Sequence, residues 1–227
     1  LITVAVLLCS TVASAHDFWV GGIYYNIISS SDLTVEVTYK GNNYNSYDDE
    51  YSGAVVIPQT VTYDSKTYSV TTIGNSAFRN CSSLTSVTIP NSVTTIGDFA
   101  FDYCTGLTSI EIPNSVTTIG SDAFLNCTGL TSVTIPNSVT TIGHSAFWDC
   151  TGLTTITIPN SVTNIGDHAF QYCRSLTSVT IGNSITAIGD YAFQCCYGLT
   201  SIEIPNSVTT IGEYAFGSCT GLTSIIV

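Results

Sequence analysis

Cysteine recurs at every twenty-third position from Cys81 through Cys104, Cys127, Cys150, Cys173 and Cys196 to Cys219, so seven thiols stand at one phase of the chain. Thiols in register could pair as disulfides, hold a soft metal or act as nucleophiles, and the spacing tests each chemistry. Stacked repeats place equivalent Cα atoms about 4.8 Å apart, inside the range that permits a disulfide. Side chains running parallel keep their Cβ atoms near that spacing, above the ~3.8 Å that a disulfide favours, and a straight row of thiolates is not a tetrahedral zinc site. The row is therefore read as buried free thiols acting as small hydrophobes, with no metal. Cys195, beside Cys196, falls off the row and is the expected exposed, reactive thiol.

Other groups able to do chemistry are scattered. His144 and His168 fall on adjacent repeats one step out of phase, far in sequence from His16, and are read as surface residues. No Ser-His-Asp or Cys-His set has a defensible geometry, so no enzyme and no cofactor are expected. Asp48, Asp49 and Glu50 form the one acidic run. It could hold calcium, but Asp-x-Asp spacing is absent and a solvated loop is the commoner outcome. Asn80-Cys81-Ser82 and Asn126-Cys127-Thr128 match glycosylation sequons, which matter only in a eukaryotic secretory pathway.

What must position all of these is the repeat itself. Ile73-Gly74, Phe78, Cys81 and Leu84 each recur with a 23-residue step through seven units, giving I-G-x-x-A-F-x-x-C-x-x-L-T-S-V/I-x-I-P-N-S-V-T-T. A period in the 20–29 range with L-x-x-V-x-I spacing signals a leucine-rich-repeat solenoid, in which each coil buries its apolar positions only against its neighbours. Within L-T-S-V-T-I, Val87 and Ile89 alternate with Ser86 and Thr88, which predicts one short parallel strand per coil with the aliphatics inward. Pro90 ends the strand because it has no N–H to donate, and Asn91 suits the turn that follows. The A-F-x-x-C stretch is predicted to be one tight helical turn directing Ala, Phe and Cys inward.

The outward strand positions then form a row of small hydroxyls: Ser86 and Thr88, Ser109 and Glu111, Ser132 and Thr134, Thr155 and Thr157, Ser178 and Thr180, Ser201 and Glu203. Concave solenoid faces are the usual binding surface, because regular stacking makes a groove along which weak contacts add. These twelve residues are the candidate ligand site, and Glu111 and Glu203, which break the pattern, are the candidates for specificity. A structural alternative is that Ser and Thr merely suit the ladder and solubility. Thr94-Thr95, Thr117-Thr118 and Thr140-Thr141 raise a third reading, ice or crystal-surface binding, interrupted by Thr163-Asn164 and Thr186-Ala187.

Charge narrows the partners. Four Lys or Arg face sixteen Asp or Glu, a net charge of −12 with only 9% charged residues, so no basic patch exists to neutralise phosphates. Nucleic acid, anionic membranes and acidic polymers are poor partners. Residues 1–15, LITVAVLLCSTVASA, read as a signal peptide ending at Ala13-Ser14-Ala15, lacking its start. No later run approaches the ~20 apolar residues of a membrane span, and bulky Leu8 argues against lipidation at Cys9. Residues 16–53 do not match the repeat but contain two strand-like runs, at 22–27 and 33–39, and are read as an N-terminal β cap. The solenoid is assigned to residues 54–227, with a hairpin insertion near 62–68 around Asp64-Ser65, and the chain is expected to continue beyond Val227.

The consensus I-G-x-x-A-F-x-x-C-x-x-L-x-x-V-x-I-P-x-S-V closely resembles the BspA-like class of leucine-rich repeats, over roughly residues 54 to 227. The leader D-F-x-V-x-G-I-Y-Y-N-I and the Y-D-x-K-x-Y hairpin resemble the cap of bacterial members. The resemblance implies a secreted or surface-attached protein of a host-associated microbe, with adhesion to host matrix proteins or aggregation between cells as the function. The hydroxyl-rich concave face extends the expected ligands to a host protein or glycan. An adhesive binding module is the leading expectation, and a spacer projecting another domain is the alternative.

Overall fold

The computed structural model describes residues 16–41 and 49–227, so the apolar leader, Cys9 and Asp48 lie outside the described residues. Strands β1 (Phe18–Val20), β2 (Ile23–Ser29) and β3 (Thr34–Thr38) form an antiparallel sheet. β4 (Gly53–Val56) belongs to the other side of the first coil. β5 (Thr60–Tyr63) and β6 (Lys66–Ile73) make a hairpin whose two central residues, Asp64 and Ser65, have φ of 49° and 60°. Two left-handed residues are what a type I′ turn requires, and its twist suits the flanking strands. β3 then pairs in parallel with β6, which joins the N-terminal sheet to the coils.

From there the chain winds as a solenoid with two strand sides, where the sequence pattern suggested one. A two-residue strand at each T-I step, Thr95–Ile96, Thr118–Ile119, Thr141–Ile142, Asn164–Ile165, Ala187–Ile188 and Thr210–Ile211, continues the ladder of β6 in parallel. The longer L-T-S-V-T-I side pairs only in twos: β4 with Leu84–Thr88, Ser109–Glu111 with Ser132–Thr134, Thr155–Ile158 with Ser178–Ile181, and Ser201–Glu203 with Ser224–Ile226. Single bonds such as Thr154 N–H to Thr131 O, at 3.3 Å, bridge one pair to the next.

The expected helical turn is not there. No helix occurs among the described residues, and A-F-x-x-C is a run of turns. The cause is the left-handed conformation of two residues in each coil, for example Ser76 and Asn80, or Asp122 and Asn126, with φ near 55–60°. A left-handed residue re-aims the next amide, so N–H donors alternate between their own coil and the following one. Arg79 N donates to Ser76 O at 3.1 Å and Cys81 N to Phe78 O at 3.2 Å. Between them, Ser76 N donates to Asp98 O, Phe78 N to Ala100 O and Asn80 N to Asp102 O, all at 2.8–2.9 Å. These bonds run toward the following coil; on the strand sides bonds run both ways, Thr94 N to Thr71 O and Gly97 N to Ile73 O toward the preceding coil and Ile204 N to Ile226 O toward the following one.

Close stacking depends on glycine at the I-G step. A Cβ at Gly143 would lie 2.6 Å from Gly120 C and Ser121 N, nearer than real contacts allow. Inside the coil, the Ala, Phe, Cys and Leu rows are buried almost throughout. The phenylalanines from Phe78 to Phe216 stack in parallel, with ring centroids 5.0 to 5.6 Å apart. Tyr51 seats its ring on Phe78 at 4.7 Å and closes that stack. Its hydroxyl donates to Thr38 O at 2.6 Å and accepts from Tyr24 N at 3.1 Å, which ties the first coil to the N-terminal sheet.

Candidate binding surface

On the longer strand side the pleat alternates strictly. Ile110, Val133, Ile156 and Val179 point inward and are buried, so Ser109 and Glu111, Ser132 and Thr134, Thr155 and Thr157, and Ser178 and Thr180 are exposed. Parallel register stacks like positions: Ser109 opposite Ser132, Glu111 opposite Thr134, Thr155 opposite Ser178 and Thr157 opposite Thr180. Ser86 and Thr88 open the row opposite Ala54 and Val56, and Ser201 and Glu203 lie opposite Ser224 and Ile226.

Two shallow grooves lie along this row where the strand meets the Pro-Asn turn. The first, of 920 Å³, gathers Thr88, Ser109, Glu111, Ser132 and Thr134 over Ile110, Ile112 and Ile135. The second, of 480 Å³, gathers Thr157, Thr180 and Glu203 over Ile158 and Ile181. They adjoin at Ile135 and Asn137, which line both. Eight of the twelve candidate positions are thus brought together, while Ser86, Thr155, Ser178 and Ser201 are exposed outside the grooves. The far wall is a row the sequence marked only as turn formers: Asn91, Asn114, Asn137, Asn160 and Asn183, each after a strand-ending Pro or Gly. Their amides add donors and acceptors to a surface otherwise made of hydroxyls. Each groove carries one carboxylate, and neither is lined by a Lys or Arg.

The threonines of the V-T-T step are engaged differently. Thr94, Thr117 and Thr140 each donate their hydroxyl to the equivalent carbonyl one coil earlier, at 3.3 Å. Those hydroxyl protons are fixed in the ladder, which weakens a regular Thr array as a template for ice.

The thiol row is free and buried. From Cys104 to Cys219 each Sγ donates to the Phe carbonyl of the preceding coil at 3.0 to 3.2 Å, Cys150 for instance to Phe124 O. Burial pushes these thiols above their ordinary range, the reverse of what a nucleophile needs. Cys195 corrects an expectation. It lies off the row, yet it is buried, at 8% exposure, and shares a hydrogen bond with the side chain of Tyr197. It occupies a left-handed position, φ 60°, and is covered in the turn instead of presented to solvent.

The turn side carries the remaining polar diversity. His144 is exposed and meets His168 edge-on at 5.0 Å, and His168 stacks on Tyr191 at 4.9 Å with its Nδ1 2.8 Å from Gln171 Oε1. Trp148 Nε1 donates to the same Gln171 oxygen at 2.7 Å. Tyr191 also stacks on Tyr214, while Tyr103, Tyr197 and Tyr214 stay exposed. Arg79 Nε lies 2.9 Å from Asp102 Oδ2, whose carboxyl is fully buried; that burial raises it to about 6 against the pull of Arg79. Asp49 accepts from Ser83 N at 2.6 Å and from Ser82 Oγ at 3.0 Å, so its carboxylate secures the first turn. Asn126 is buried at 7% exposure, which removes its sequon from reach.

A family model of BspA-type leucine-rich repeat regions matches residues 59–173 and 140–227, in six copies. Among solved structures, the chain is similar to a leucine-rich repeat protein from Bacteroides ovatus, with 36% identity and a TM-score of 0.83 over 93% of this chain and 53% of that one. It is similar to a leucine-rich cell surface protein from Faecalibacterium prausnitzii, with 37% identity and a TM-score of 0.78 over 95% and 55%. A leucine-rich repeat protein from T. pallidum gives 30% identity and a TM-score of 0.77 over 89% and 88%. The chain spans about half the length of the first two. A comparison with curated proteins found no match.

Proposed function

The chain belongs to the BspA-type leucine-rich repeat family, and from that premise we propose that it is an extracellular, non-enzymatic binding module that recognises a protein or glycan through its longer strand side. One observation carries the reading: the outward row of hydroxyls lines two adjoining grooves, so many weak contacts can act on one extended ligand. Adhesion at a cell surface fits the signal-like leader and the similarity to a protein described as a cell surface protein. Residues 16–53 serve in this reading as a cap on the first coil.

The test is binding of the purified chain to immobilised matrix glycoproteins and a glycan panel, beside Thr134→Trp and Thr157→Trp. Both positions are exposed, so the variants keep the fold, which circular dichroism and urea unfolding check. Saturable binding lost in both variants supports the reading. Binding that survives both moves the site off the strand side, and no binding by the folded chain favours a spacer that projects another domain.

A further inference from the structure

The chemistry of the grooves narrows the ligand. Lys40 lies in the bend after β3, Lys66 in the hairpin, and Arg79 and Arg174 on the turn side, and none lines a groove. Glu111 and Glu203 are the charged residues of the two grooves, and no cation answers them there. Neither groove is lined by an aromatic ring that could stack on a sugar. The net charge of −12 opposes a second copy of the chain or an acidic polymer on this surface.

Spacing supplies the rest. Glu111 and Glu203 occupy the same strand position four coils apart, through 134, 157 and 180. At about 4.8 Å per coil their separation is about 19 Å. An extended peptide advances about 3.3 Å per residue, so about six residues cover that distance. Six is an even step, and side chains an even step apart point to the same face of an extended chain.

Building on the strand-side reading above, we infer that the grooves take an extended protein segment, running across the coils, whose two Lys or Arg residues six positions apart meet Glu111 and Glu203. The side chains at the second and fourth positions between them face the Thr134 to Thr180 stretch, where the surface is uncharged and favours small or aliphatic groups.

The experiment is fluorescence anisotropy at low salt, with the full chain and dye-labelled peptides of Thr, Ser and Val carrying two lysines. The pair is placed six or five positions apart, and a third peptide has two glutamates six apart. The six-step lysine peptide is expected to bind most tightly and to weaken as salt rises through the range where the Debye length falls to about 8 Å. Glu111→Gln and Glu203→Gln should each weaken it by about twofold to fivefold, as exposed ion pairs do, and the double variant should leave it no tighter than the glutamate peptide. Equal binding of the five-step peptide, or no effect of either Gln variant, overturns the inference. If the peptide fails while a glycan or another protein binds in a manner blocked by Thr134→Trp, the inference falls and the strand-side reading stands.

Discussion

Replacing Cys150 separates the two things a buried thiol can do in this stack. The side chain is fully buried between Cys127 and Cys173, and its Sγ donates to Phe124 O at 3.2 Å. That carbonyl also accepts Cys127 N at 3.2 Å, so removing the thiol does not strand it. For Cys150→Ala, losing a group of roughly methylene size costs about 0.8 kcal/mol in transfer. A residual void of about 20 Å³ adds about 0.5 kcal/mol at ~24 cal/mol per Å³. With the weak hydrogen bond included, the total is about 1.5–2 kcal/mol. For Cys150→Ser, a buried hydroxyl without a partner would cost about 1–3 kcal/mol more than alanine. Here the partner is already in place, so serine should match alanine within about 0.5 kcal/mol. The assay is urea unfolding, compared at equal slope so that the two-state treatment holds along the stack. Serine markedly worse than alanine would refute the thiol as donor, and an alanine cost under about 0.5 kcal/mol would refute close packing of the row.

Gly143→Ala should be far less tolerated than Gly217→Ala. The first brings a Cβ to 2.6 Å from backbone of the preceding coil, whereas the second meets Tyr214 at 3.1 Å or beyond. Overpacking of about 1–3 kcal/mol is expected at 143, read as a lowered urea midpoint, and equal midpoints would contradict the close-approach argument. Asp102 gives a pH dependence. Its folded carboxyl, at about 6, lies above the unfolded value of about 3.9, so its contribution is full at low pH and lost as pH rises through about 6. Burial raises Glu50, Asp122 and Asp149 in the same sense, while Asp49, lowered by the Ser83 N–H, opposes them. The unfolding midpoint should fall between about pH 4 and pH 7, less steeply in Asp102→Asn; a midpoint that climbs over that window would reverse the sign. Tyr51→Phe leaves Thr38 O and Tyr24 N without the hydroxyl and should cost about 1–3 kcal/mol. Hydrogen exchange should report that loss first in β2 and β3, and uniform loosening of all coils would argue against Tyr51 as the tie.

The rows of the core were legible because a fixed period of 23 forces equivalent residues into stacks, and alternation in L-T-S-V-T-I says which of them face out. The turn was not legible. Left-handed backbone at Phe99, Tyr103, Tyr172 and Tyr191 goes against residue preference, and it is held by the bonds its amides make to the next coil, a contact that local sequence does not encode. Cys195 was misread for the same cause: its burial depends on the left-handed turn that it occupies. Tyr51 lies outside the repeat, so no spacing marked it as the residue closing the phenylalanine stack. On the grooves, hydroxyls and glutamates were visible from pleat alternation, while the Asn wall was hidden behind the ordinary role of Asn in turns.

Along the A-F-x-x-C turns alternate amides donate to the following coil, while the strand ladders exchange bonds in both directions, Thr94 N to Thr71 O one way and Ile204 N to Ile226 O the other. A protein pulled from one end while its other end is held would meet junctions of two kinds, because the T-I ladder crosses all of them while the longer side pairs only in twos. Load would then part the stack first at the singly bridged junctions, releasing coils in pairs, each coil 23 residues and about 75–80 Å of contour. Such a chain yields length gradually under tension, and whatever grips the remaining coils keeps its hold.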